Sequence, residues 1–479
     1  MRKTKIVCTI GPASGDVETL KELIKAGMNV ARINFSHGSY PEQEKFITAV
    51  RQARKELNIP VAMLLDMQGP EIRTGKLEEA PVYLKTGDKF ILVNDEIVGN
   101  SEKVSISYQS LYQDVLPGSK ILIDDGSIEL EVEKIVNKDI HCKVTHGAKL
   151  GNRKTVNVPG IRLNLPSLKA KDIQDLKDAV NANFDYVAAS FVRRRQDVLD
   201  VRKVLNENGG EKIKIIAKIE NQEGIENVNE ILEVSDGIMV ARGDMGVEIP
   251  LEQVPIVQKQ FIKSCYRSGK LVITATQMLE TMTENPRPTR AEVSDVANAI
   301  FDGTGAIMLS AESAMGKYPV ECVKTMDKIA NAVENSIKYW KRFMNREYDL
   351  KQLDYEFNLD YSICYTAMSM EAKAIFAYTE CGDTPRILAS FLPNCPIYAI
   401  TTDERVYRQL ALCWNVHPML FEKQDSVNEV IKQGIEQARQ EGKVQSGDTV
   451  VISGGPAILE PDGDIKETIN RSIGGVLKL

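Results

Sequence analysis

Short apolar runs alternate with amphipathic stretches along most of the chain. Three runs open it, KIVCTI (5–10), MNVARINF (28–35) and VAMLLDM (61–67). Five more follow after an interruption, DYVAASF (185–191), IKIIAKI (213–219), DGIMVARGD (236–244), KLVITATQ (270–277) and AIMLSAE (306–312). Apolar runs between helical patterns predict buried parallel strands, and eight such βα units predict a (β/α)₈ TIM barrel. An open doubly wound sheet is the alternative that the pattern leaves.

Two of the intervening helices carry start and stop signals. In the first helix, Ser14 or Asp16 is the predicted cap and Gly27 the predicted end. In a later helix, Thr289 stands three residues before Glu292, which is the spacing of a capping box. These signals support helices between the predicted strands.

Residues 71–165 break the βα alternation. The stretches VYLKTGDKFILVND, KILIDDGSIELEVEKIV and DIHCKVTHG alternate apolar and polar residues and turn at Gly or Asp-Gly. This pattern predicts a small antiparallel β-barrel domain inserted after the third strand, so the TIM barrel is expected to comprise residues 1–70 and 166–342. Beyond a polar linker, the runs AIFAYT, PIYAITT, VHPMLF and TVVISGG predict a separate C-terminal α/β domain at 355–479.

Composition narrows the function classes. The net charge is −7, with 27% charged residues of both signs and no polybasic block, so nucleic acid is not an expected partner. The N-terminal apolar run is soon broken by Gly11 and Pro12, and no run is long enough to cross a bilayer, so no membrane partner is expected. The eight cysteines are scattered without a C-x-x-C pair, which suits a reducing compartment. The sequence therefore predicts a cytoplasmic protein.

Polar side chains gather where the predicted strands end, which is the functional end of a (β/α)₈ barrel. Lys218 and Glu220 stand two positions apart, so both must face the same side of their strand. A structural ion pair would explain this one pair. It would not explain polar groups at five strand ends, which are Arg32, Asn34, Ser36 and His37, then Asp66, then Lys218 and Glu220, then Arg242, Gly243 and Asp244, and finally Thr276.

The carboxylates of Glu220 and Asp244 come from neighbouring strands, without a histidine or cysteine nearby. Oxygen ligands alone favour Mg²⁺ or Mn²⁺, and Lys218 beside such a metal could stabilise a developing oxyanion or a phosphoryl group. If a helix begins at the stretch RGDMG (242–246), its free N–H groups could receive an anionic substrate group, whereas a tight turn is the simpler interpretation. These residues predict a divalent-metal enzyme acting on a small anion, and they leave both phosphoryl transfer and lyase or aldol chemistry open.

Asn34, Ser36 and Asp66 offer one formal charge and several neutral oxygens. That set suits a monovalent cation better than Mg²⁺. A capped turn is the simpler interpretation of the stretch NFSH, and His37 alone would be a hydrogen-bonded loop residue.

Six motifs together closely resemble the pyruvate kinase family and stand in the family's order. They are RINFSHG (32–38), LLDMQGPEIRTG (64–75), AKIENQEG (217–224), GIMVARGDMGVEIP (237–250), ATQMLETM (275–282) and NPRPTRAEVSDVANAIFDG (285–303). The resemblance covers nearly the whole chain. It implies a TIM barrel, an inserted β domain acting as a lid and a C-terminal regulatory domain. It also implies the glycolytic transfer of a phosphoryl group from phosphoenolpyruvate to ADP, giving pyruvate and ATP, with protonation of the enolate.

The resemblance assigns roles on the substrate side. Lys218 is similar to the lysine that stabilises charge on the phosphoryl group and the enolate, and Thr276 to the threonine at the substrate's methylene carbon. Glu220 and Asp244 resemble the Mg²⁺ ligands. Gly243 and Asp244 are implied to offer backbone N–H groups to the substrate carboxylate.

The resemblance also assigns the nucleotide and K⁺ sides. Arg32 and Arg73 are similar to the arginines that reach the transferring phosphoryl group. The implied nucleotide contacts are Asn34, His37, Arg73 and Lys154. The implied K⁺ ligands are Asn34, Ser36, Asp66 and the backbone carbonyl of Met67.

Three positions depart from the family pattern. Met67 and Gln68 replace a common Thr-Lys, but the ligand at 67 is a backbone oxygen and Glu71 fits the K⁺-dependent pattern, so a K⁺ site is still expected. Thr155 replaces a usual Gly beside Lys154, which puts that lid contact in doubt. Ala311 replaces a usual Gly, with no functional interpretation.

Two other functions are weighed against the resemblance. A Mg-dependent lyase or aldolase on a pyruvate-enolate barrel would need neither a lid nor Arg73 and Lys154. A catalytically silent binding protein would be expected to have lost Lys218 or a metal carboxylate. All of these residues are present.

Regulation and assembly are also implied by the resemblance, which predicts a homotetramer and an effector site in the C-terminal domain. The loop TECGDT retains elements of a phosphate cradle in Thr379, Gly382 and Thr384. Glu380 and Asp383 add negative charge beside that cradle. A sugar phosphate or nucleotide is therefore an expected effector, with a bisphosphate expected to activate poorly.

Overall fold

A computed structural model of the chain describes residues 1–36, 38–346, 355–453 and 475–479. Three strands open it: β1 (Lys5–Thr9), β2 (Val30–Asn34) and β3 (Ala62–Asp66). The next are β4 (Ile72–Arg73), β5 (Val82–Tyr83), β6 (Lys89–Val93), β7 (Lys103–Ser105), β8 (Lys120–Ile123), β9 (Ile128–Val136), β10 (Asp139–His146), β11 (Lys149–Leu150) and β12 (Thr155–Asn157). Then come β13 (Tyr186–Ala189), β14 (Lys214–Ile219), β15 (Gly237–Ala241), β16 (Leu271–Ala275) and β17 (Ala306–Leu309). The last are β18 (Ala374–Tyr378), β19 (Ile397–Thr401), β20 (Val416–Leu420), β21 (Thr449–Ser453) and β22 (Gly475–Lys478).

The helices of the described residues follow the same regions. The first nine are α1 (Val17–Ala26), α2 (Tyr40–Leu57), α3 (Leu111–Asp114), α4 (Ala170–Asn181), α5 (Arg195–Glu207), α6 (Gln222–Glu226), α7 (Val228–Val234), α8 (Arg242–Glu248) and α9 (Val254–Arg267). The others are α10 (Arg290–Asp302), α11 (Ala311–Ala314), α12 (Pro319–Ser336), α13 (Tyr339–Met344), α14 (Tyr355–Ser369), α15 (Asp383–Ser390), α16 (Glu404–Gln409) and α17 (Val427–Gln440). Short 3₁₀ turns occupy Leu251–Gln253, Glu280–Thr283 and Leu410–Leu412.

Eight strands close into a parallel barrel in the order β1-β17-β16-β15-β14-β13-β3-β2. This closure confirms the TIM barrel and excludes the open doubly wound sheet. Every residue of β1, β3, β13, β15, β16 and β17 is buried, since side chains fill the barrel on one face and helices cover the other. Parallel register brings the strand ends together, with Asn34 of β2 beside Asp66 of β3.

The helix signals in the sequence are confirmed, with one choice settled. Asp16, not Ser14, caps α1, because its side chain accepts a hydrogen bond from the Thr19 N–H at 2.9 Å. Gly27 ends α1 at φ +121°, a conformation that a Cβ disfavours. Thr289 and Glu292 form the capping box of α10.

In two of the apolar runs, the strand ends before the run does. The run at 236–244 leaves the strand after Ala241, and α8 begins at Arg242. The run at 306–312 leaves the strand after Leu309, and α11 begins at Ala311. Apolar periodicity alone does not separate the last turn of a strand from the first turn of a buried helix.

The inserted region forms a sheet in the order β4-β12-β8-β9-β10-β6-β7, with β5 and β11 paired beside it. Its pairs are antiparallel except β6 with β7, which is parallel because the segment between these two strands crosses over instead of turning back. Its core is separate from the barrel and includes Phe90, Ile121, Leu130 and Val144.

The C-terminal region holds a sheet in the order β20-β19-β18-β21-β22, parallel except for β22. The predicted polar linker is partly helical, since α13 covers its start, and its residues 347–354 lie outside the described residues. One hydrophobic cluster joins the barrel interior, at Tyr186 and Ile273, to Phe343 and Phe391 of the C-terminal side. Among the described helices none is both long enough and apolar enough to span a membrane.

Candidate active site

Lys218 lies in a buried polar cluster at the carboxyl ends of β3, β13 and β14. Its ammonium nitrogen contacts Ser190 Oγ at 2.7 Å, Glu220 Oε1 at 2.9 Å and Asp66 Oδ1 at 3.2 Å. Burial alone would lower the pKa of Lys218, but the surrounding carboxylates, Asp66 and Glu220 foremost, raise it above its ordinary value. Lys218 is therefore held as an ammonium ion at neutral pH.

Glu220 lies against Lys218 on the same side of the strand, as the two-residue spacing predicts. Its other carboxylate oxygen accepts a hydrogen bond from the Phe191 N–H at 2.5 Å. Phe191 adopts φ +54°, a left-handed conformation that is strained for a bulky residue. Burial raises the pKa of Glu220, Lys218 opposes this, and the negative charge of Asp244 raises it further.

Asp66 is fully buried between two cations. Arg32 Nε contacts Asp66 Oδ2 at 2.6 Å, while Lys218 contacts the other oxygen. Burial raises the pKa of Asp66, but Lys218 and Arg32 together bring it below its ordinary value. Arg32 also donates to Thr9 Oγ1 at 2.7 Å, so its guanidinium group is fixed over the barrel.

Thr276 lies in a strained loop just after β16. Thr276 has φ +67° and Gln277 has φ +52°, both in the left-handed region. The Gly243 N–H donates to Thr276 Oγ1 at 2.8 Å, so these two predicted substrate groups are in contact. Arg242 holds the loop, since its guanidinium group donates to the Thr276 carbonyl at 2.6 Å and to Asp295 at 2.7 Å.

Asp244 lies in the first turn of α8, so a helix does begin at the RGDMG stretch. A cavity of about 130 Å³ between the barrel and the inserted region is lined by Asp244, Asp125, Asn157, Phe191 and Glu248, among others. Within the described ranges, no three His, Cys, Asp or Glu side chains are grouped so that they could hold a metal by themselves. Glu220 and Asp244 thus form a pair of candidate ligands and not a complete set.

The predicted nucleotide contacts of the inserted region lie close together, since Arg73 of β4 pairs with Thr155 of β12, the residue after Lys154. Arg73 contacts the Glu71 carboxylate at 2.6 Å, and Lys154 contacts Asp124 at 2.9 Å. His37, the remaining predicted nucleotide contact, lies outside the described residues.

The predicted K⁺ ligands follow the ends of β2 and β3. Asn34 Oδ1 accepts from the Ser36 N–H at 3.0 Å, and the Met67 carbonyl accepts from Ser190 Oγ at 2.7 Å. Asp66 pairs with Asn34 across the two strands. The structure thus brings these oxygens to one end of the barrel. The Asn34–Ser36 hydrogen bond is also typical of a capped turn.

Ser190 and Arg242 also make contacts in this site, although the sequence pattern assigned neither a role. Ser190 bridges Lys218 and Met67, and it follows β13 directly, so the same strand-end rule that selected Lys218 would have found it. Arg242 is one of the polar residues at the predicted strand ends. Its position under the Thr276 loop depends on a contact between two βα units that no local pattern reveals.

The predicted effector loop lies at the start of α15. Thr379 Oγ1 accepts from the Gly382 N–H at 2.8 Å, and Gly382 adopts φ +86°. Asp383 contacts Arg386 at 3.0 Å and Lys214 of the barrel at 3.9 Å, and these cations bring its pKa below the ordinary value although burial opposes them. Its charge is therefore partly neutralised, whereas Glu380 is exposed and accepts only a long hydrogen bond from Tyr378 at 3.3 Å.

Two protein-family models match the sequence. They are described as "Pyruvate kinase, barrel domain", over residues 1–323, and "Pyruvate kinase, alpha/beta domain", over residues 359–463. The chain belongs to the pyruvate kinase family. Its function is that of a phosphotransferase of glycolysis, which moves the phosphoryl group of phosphoenolpyruvate to ADP. The lyase or aldolase alternative is not favoured.

Named relatives agree with the family match. A pyruvate kinase of Clostridium acetobutylicum is 50% identical over 456 residues, which is 95% of this chain and 96% of that protein. A pyruvate kinase of Geobacillus stearothermophilus is 48% identical over 461 residues, 96% of this chain and 78% of that protein. The crystal structure of a pyruvate kinase from Cryptosporidium parvum superposes with a TM-score of 0.93 at 38% identity, covering 100% of this chain and 96% of the other.

Proposed function

We propose that Lys218 is the central catalytic group of this pyruvate kinase, acting on the charge that moves between the phosphoryl group and the enolate. The observation that carries the proposal is its ammonium group, buried and kept charged by Asp66 and Glu220. A fixed cation in a site shielded from water stabilises developing negative charge without reorganisation. Arg32, fixed by Asp66 and Thr9, orients the transferring group from the neighbouring strand end.

The protonation half of the reaction is assigned to Thr276. Its hydroxyl lies beside the Gly243 N–H, at the mouth of the barrel next to Asp244. Thr276 places a proton, through water, at the methylene carbon of the enolate, while Gly243 and Asp244 orient the substrate carboxylate with backbone N–H groups. Arg242 keeps the Thr276 loop in its strained conformation.

Glu220 and Asp244 are the proposed ligands of Mg²⁺ or Mn²⁺. The donor set fits, because both are carboxylates and the charge of Asp244 raises the pKa of Glu220, as expected of two anions that share one space. When bound, the metal supplies a Lewis acid to the phosphate and carboxylate oxygens. Since two carboxylates are an incomplete set, the substrate's own oxygens are proposed to complete it.

K⁺ is the second proposed cofactor, held by Asn34, Ser36, Asp66 and the Met67 carbonyl. These oxygens lie along the ends of β2 and β3. Turnover measured with tetramethylammonium as the only monovalent cation should be much lower than turnover in K⁺. Equal rates in the two buffers would remove K⁺ from the proposal.

The larger organisation is proposed on the same basis. Residues 1–70 and 166–342 form the catalytic barrel, 71–165 the lid carrying Arg73 and Lys154 toward the nucleotide, and 355–479 the regulatory domain. The protein is proposed to be a cytoplasmic homotetramer. Seven of its eight cysteines are buried and none is in a disulfide, in keeping with a reducing compartment.

An effector carrying one phosphate is proposed to bind at Thr379, Gly382 and Thr384. Because Asp383 is paired with Arg386, the repulsion expected of a bisphosphate comes mainly from Glu380. Titrating fructose 1,6-bisphosphate, sugar monophosphates and AMP at subsaturating phosphoenolpyruvate tests this. Strong activation by micromolar bisphosphate would contradict it.

A coupled assay for pyruvate tests the function as a whole. Pyruvate should form from phosphoenolpyruvate only when ADP and Mg²⁺ are both present, with one ATP for each pyruvate. Pyruvate formation at the same rate without ADP would instead support lyase or phosphatase chemistry.

A further inference from the structure

The inserted sheet, the proposed lid, contacts α8 directly through two residues that have no role in the proposals above. Asn157, the last residue of β12 in the inserted sheet, donates through its side-chain amide to Glu248 Oε1 at 2.7 Å. Glu248 is the last residue of α8, the helix whose first turn carries Gly243 and Asp244. One short helix therefore carries a proposed metal ligand in its first turn and a contact to the lid at its last residue.

The geometry of α8 couples these two ends. Asp244 and Glu248 are four residues apart, so they lie on the same face of the helix, and the charge of Asp244 contributes to raising the pKa of Glu248 after burial, the larger cause. Both side chains line the cavity between the barrel and the lid. Because a helix of two turns moves as a rigid unit, a displacement of Glu248 also displaces Gly243 and Asp244.

The other contacts at this hinge come from the two connecting segments. Lys169 Nζ donates to the Glu71 carbonyl at 2.8 Å, and Arg193 donates to the Leu163 and Leu165 carbonyls at 3.0 and 2.8 Å. These bonds fix where the connecting segments leave the barrel. They do not fix the angle of the sheet, whereas Asn157 belongs to the sheet itself and pairs with Leu122 of β8.

We propose that Asn157 and Glu248 are positioning residues that latch the lid to α8, so that closing the lid and placing Gly243 and Asp244 for catalysis are one event. The proposal rests on the roles given above to Gly243 and Asp244, and it adds how the lid reaches them. Glu248 has no proposed contact with a reacting group or with the metal. Its carboxylate acts only as the acceptor for Asn157.

The test uses two kinds of variant in the full-length protein. Asn157→Ala removes the donor, and Glu248→Ala removes the acceptor. Glu248→Gln is the matched conservative variant, because its side-chain carbonyl can still accept from Asn157. Loss of one hydrogen bond to a buried carboxylate should raise KM for phosphoenolpyruvate and ADP by about tenfold, with a smaller loss of kcat. Glu248→Gln should stay within about threefold of the parent protein.

Lid position is measured separately from activity, in the absence of substrates. Spin labels at Lys134→Cys, exposed on β9 of the lid, and Lys263→Cys, exposed on α9 of the barrel, report the distance between the two parts. Asn157→Ala and Glu248→Ala should broaden that distance distribution, and Glu248→Gln should leave it unchanged. An unchanged distribution in both alanine variants would overturn the latch.

Mn²⁺ affinity separates this proposal from the roles given to Asp244. If Asp244→Asn leaves Mn²⁺ binding intact, the metal assignment fails, but the distance measurement still judges the latch. A Glu248→Gln variant with the same kinetic loss as Glu248→Ala would show that the charge of Glu248 matters rather than its hydrogen bond to Asn157, and this too would overturn the latch.

Discussion

The carboxylates of Asp66 and Glu220 keep Lys218 charged, and Lys218 in turn favours the ionised form of both carboxylates. Asp66 contacts a second cation, Arg32. Glu220 contacts Lys218 and accepts a hydrogen bond from the neutral Phe191 N–H. Removing the ammonium group therefore leaves one buried carboxylate without a cationic partner, which favours its protonation. The proposed catalytic lysine thus also maintains the electrostatic balance of the barrel mouth.

Lys218→Met should lower kcat by about a hundredfold or more, because it removes the cation that faces the transferring charge. Lys214→Met is the matched control, since Lys214 lies on the same strand but points toward Asp236 at 3.4 Å, at the opposite end of the barrel. Its kcat at saturating substrate should change by less than about threefold. Circular dichroism and thermal unfolding check that both variants fold. A Lys218→Met variant with activity within tenfold of the parent would remove Lys218 from the mechanism.

Glu220→Gln and Asp244→Asn should each weaken Mn²⁺ binding, since each removes one of two charges that hold the ion. Glu223→Gln, four positions beyond the end of β14 and in α6, is the control and should leave the affinity unchanged. Water-proton relaxation during a Mn²⁺ titration measures all three. Parent-like affinity in both carboxylate variants would place the metal elsewhere.

Sequence reasoning could select candidate site residues because the strand ends of a barrel can be located from the apolar pattern. It selected Lys218, Glu220 and Asp244 as candidates from their positions at predicted strand ends, and the parallel register places the ends of β14 and β15 side by side. It gave no role to Ser190, although this residue directly follows β13 and the strand-end rule would select it; only the fold shows that it bridges Lys218 and Met67. It also expected Asp383 to add negative charge beside the effector loop. Its partner Lys214 comes from the barrel and could not be predicted, whereas Arg386, three residues along α15, could have been predicted from the spacing.

At the level of elements, the Thr276 loop is held by polar contacts at both ends in addition to the burial of Met278, Leu279 and Met282 in the apolar core. Arg242 holds its start, and Glu292 of α10 holds the 3₁₀ turn that follows. The Glu292 carboxylate accepts from the Thr281 N–H at 2.7 Å and the Thr289 N–H at 2.7 Å. A capping box that the sequence predicts therefore also links α10 to the 3₁₀ turn after the Thr276 loop, a contact that the sequence does not show.

Glu292→Gln should lower the free energy of unfolding by about 1–3 kcal/mol at pH 7, because the amide cannot replace a carboxylate that accepts from both backbone and hydroxyl groups. Burial opposes it, but these hydrogen bonds hold the pKa of Glu292 below its ordinary value. The stabilisation is thus present above the ordinary Glu pKa of about 4.3 and is lost as pH falls through the lower folded value.

Urea unfolding of the parent protein and Glu292→Gln from pH 7 to pH 3 measures that difference. Glu284→Gln is the control, because Glu284 is 65% exposed and pairs with the exposed Lys317, so its effect should stay below about 0.5 kcal/mol. A Glu292→Gln deficit that stays constant down to pH 3 would contradict the assigned ionised role.

For the whole molecule, the barrel and the C-terminal region share one packed interface at the end opposite the active site. Tyr186 donates to the Gln409 carbonyl at 2.6 Å, and Arg408 contacts the buried Asp185 at 2.9 Å. The number and order of the barrel strands follow from apolar periodicity. This interface could not be predicted, because its polar partners are more than two hundred residues apart and no local pattern pairs them.

Lys5 is a buried cationic residue in that interface. It is buried on β1, and its ammonium nitrogen donates to the Val416 carbonyl of β20 at 2.7 Å. Burial, followed by the charge of Arg2, lowers the pKa of Lys5 to about 7, whereas an unfolded chain holds the proton to about pH 10.4. Between these values the unfolded state binds the extra proton, so Lys5 makes stability rise with pH from about 7 to about 10.

Lys5→Met should therefore stabilise the protein most below pH 7, because it fills the same space without a buried charge. The expected gain at pH 6 is about 1–4 kcal/mol, shrinking toward zero or reversing near pH 10, where the folded lysine is neutral and keeps its hydrogen bond to Val416. Lys373→Met, at an exposed lysine just before β18, is the control and should show no such pH dependence. Thermal unfolding at pH 6, 8 and 10 measures all three proteins. If Lys5→Met unfolds at a lower temperature than the parent at pH 6, the ammonium group is a net stabilising link between the barrel and the C-terminal region, and the burial argument is wrong.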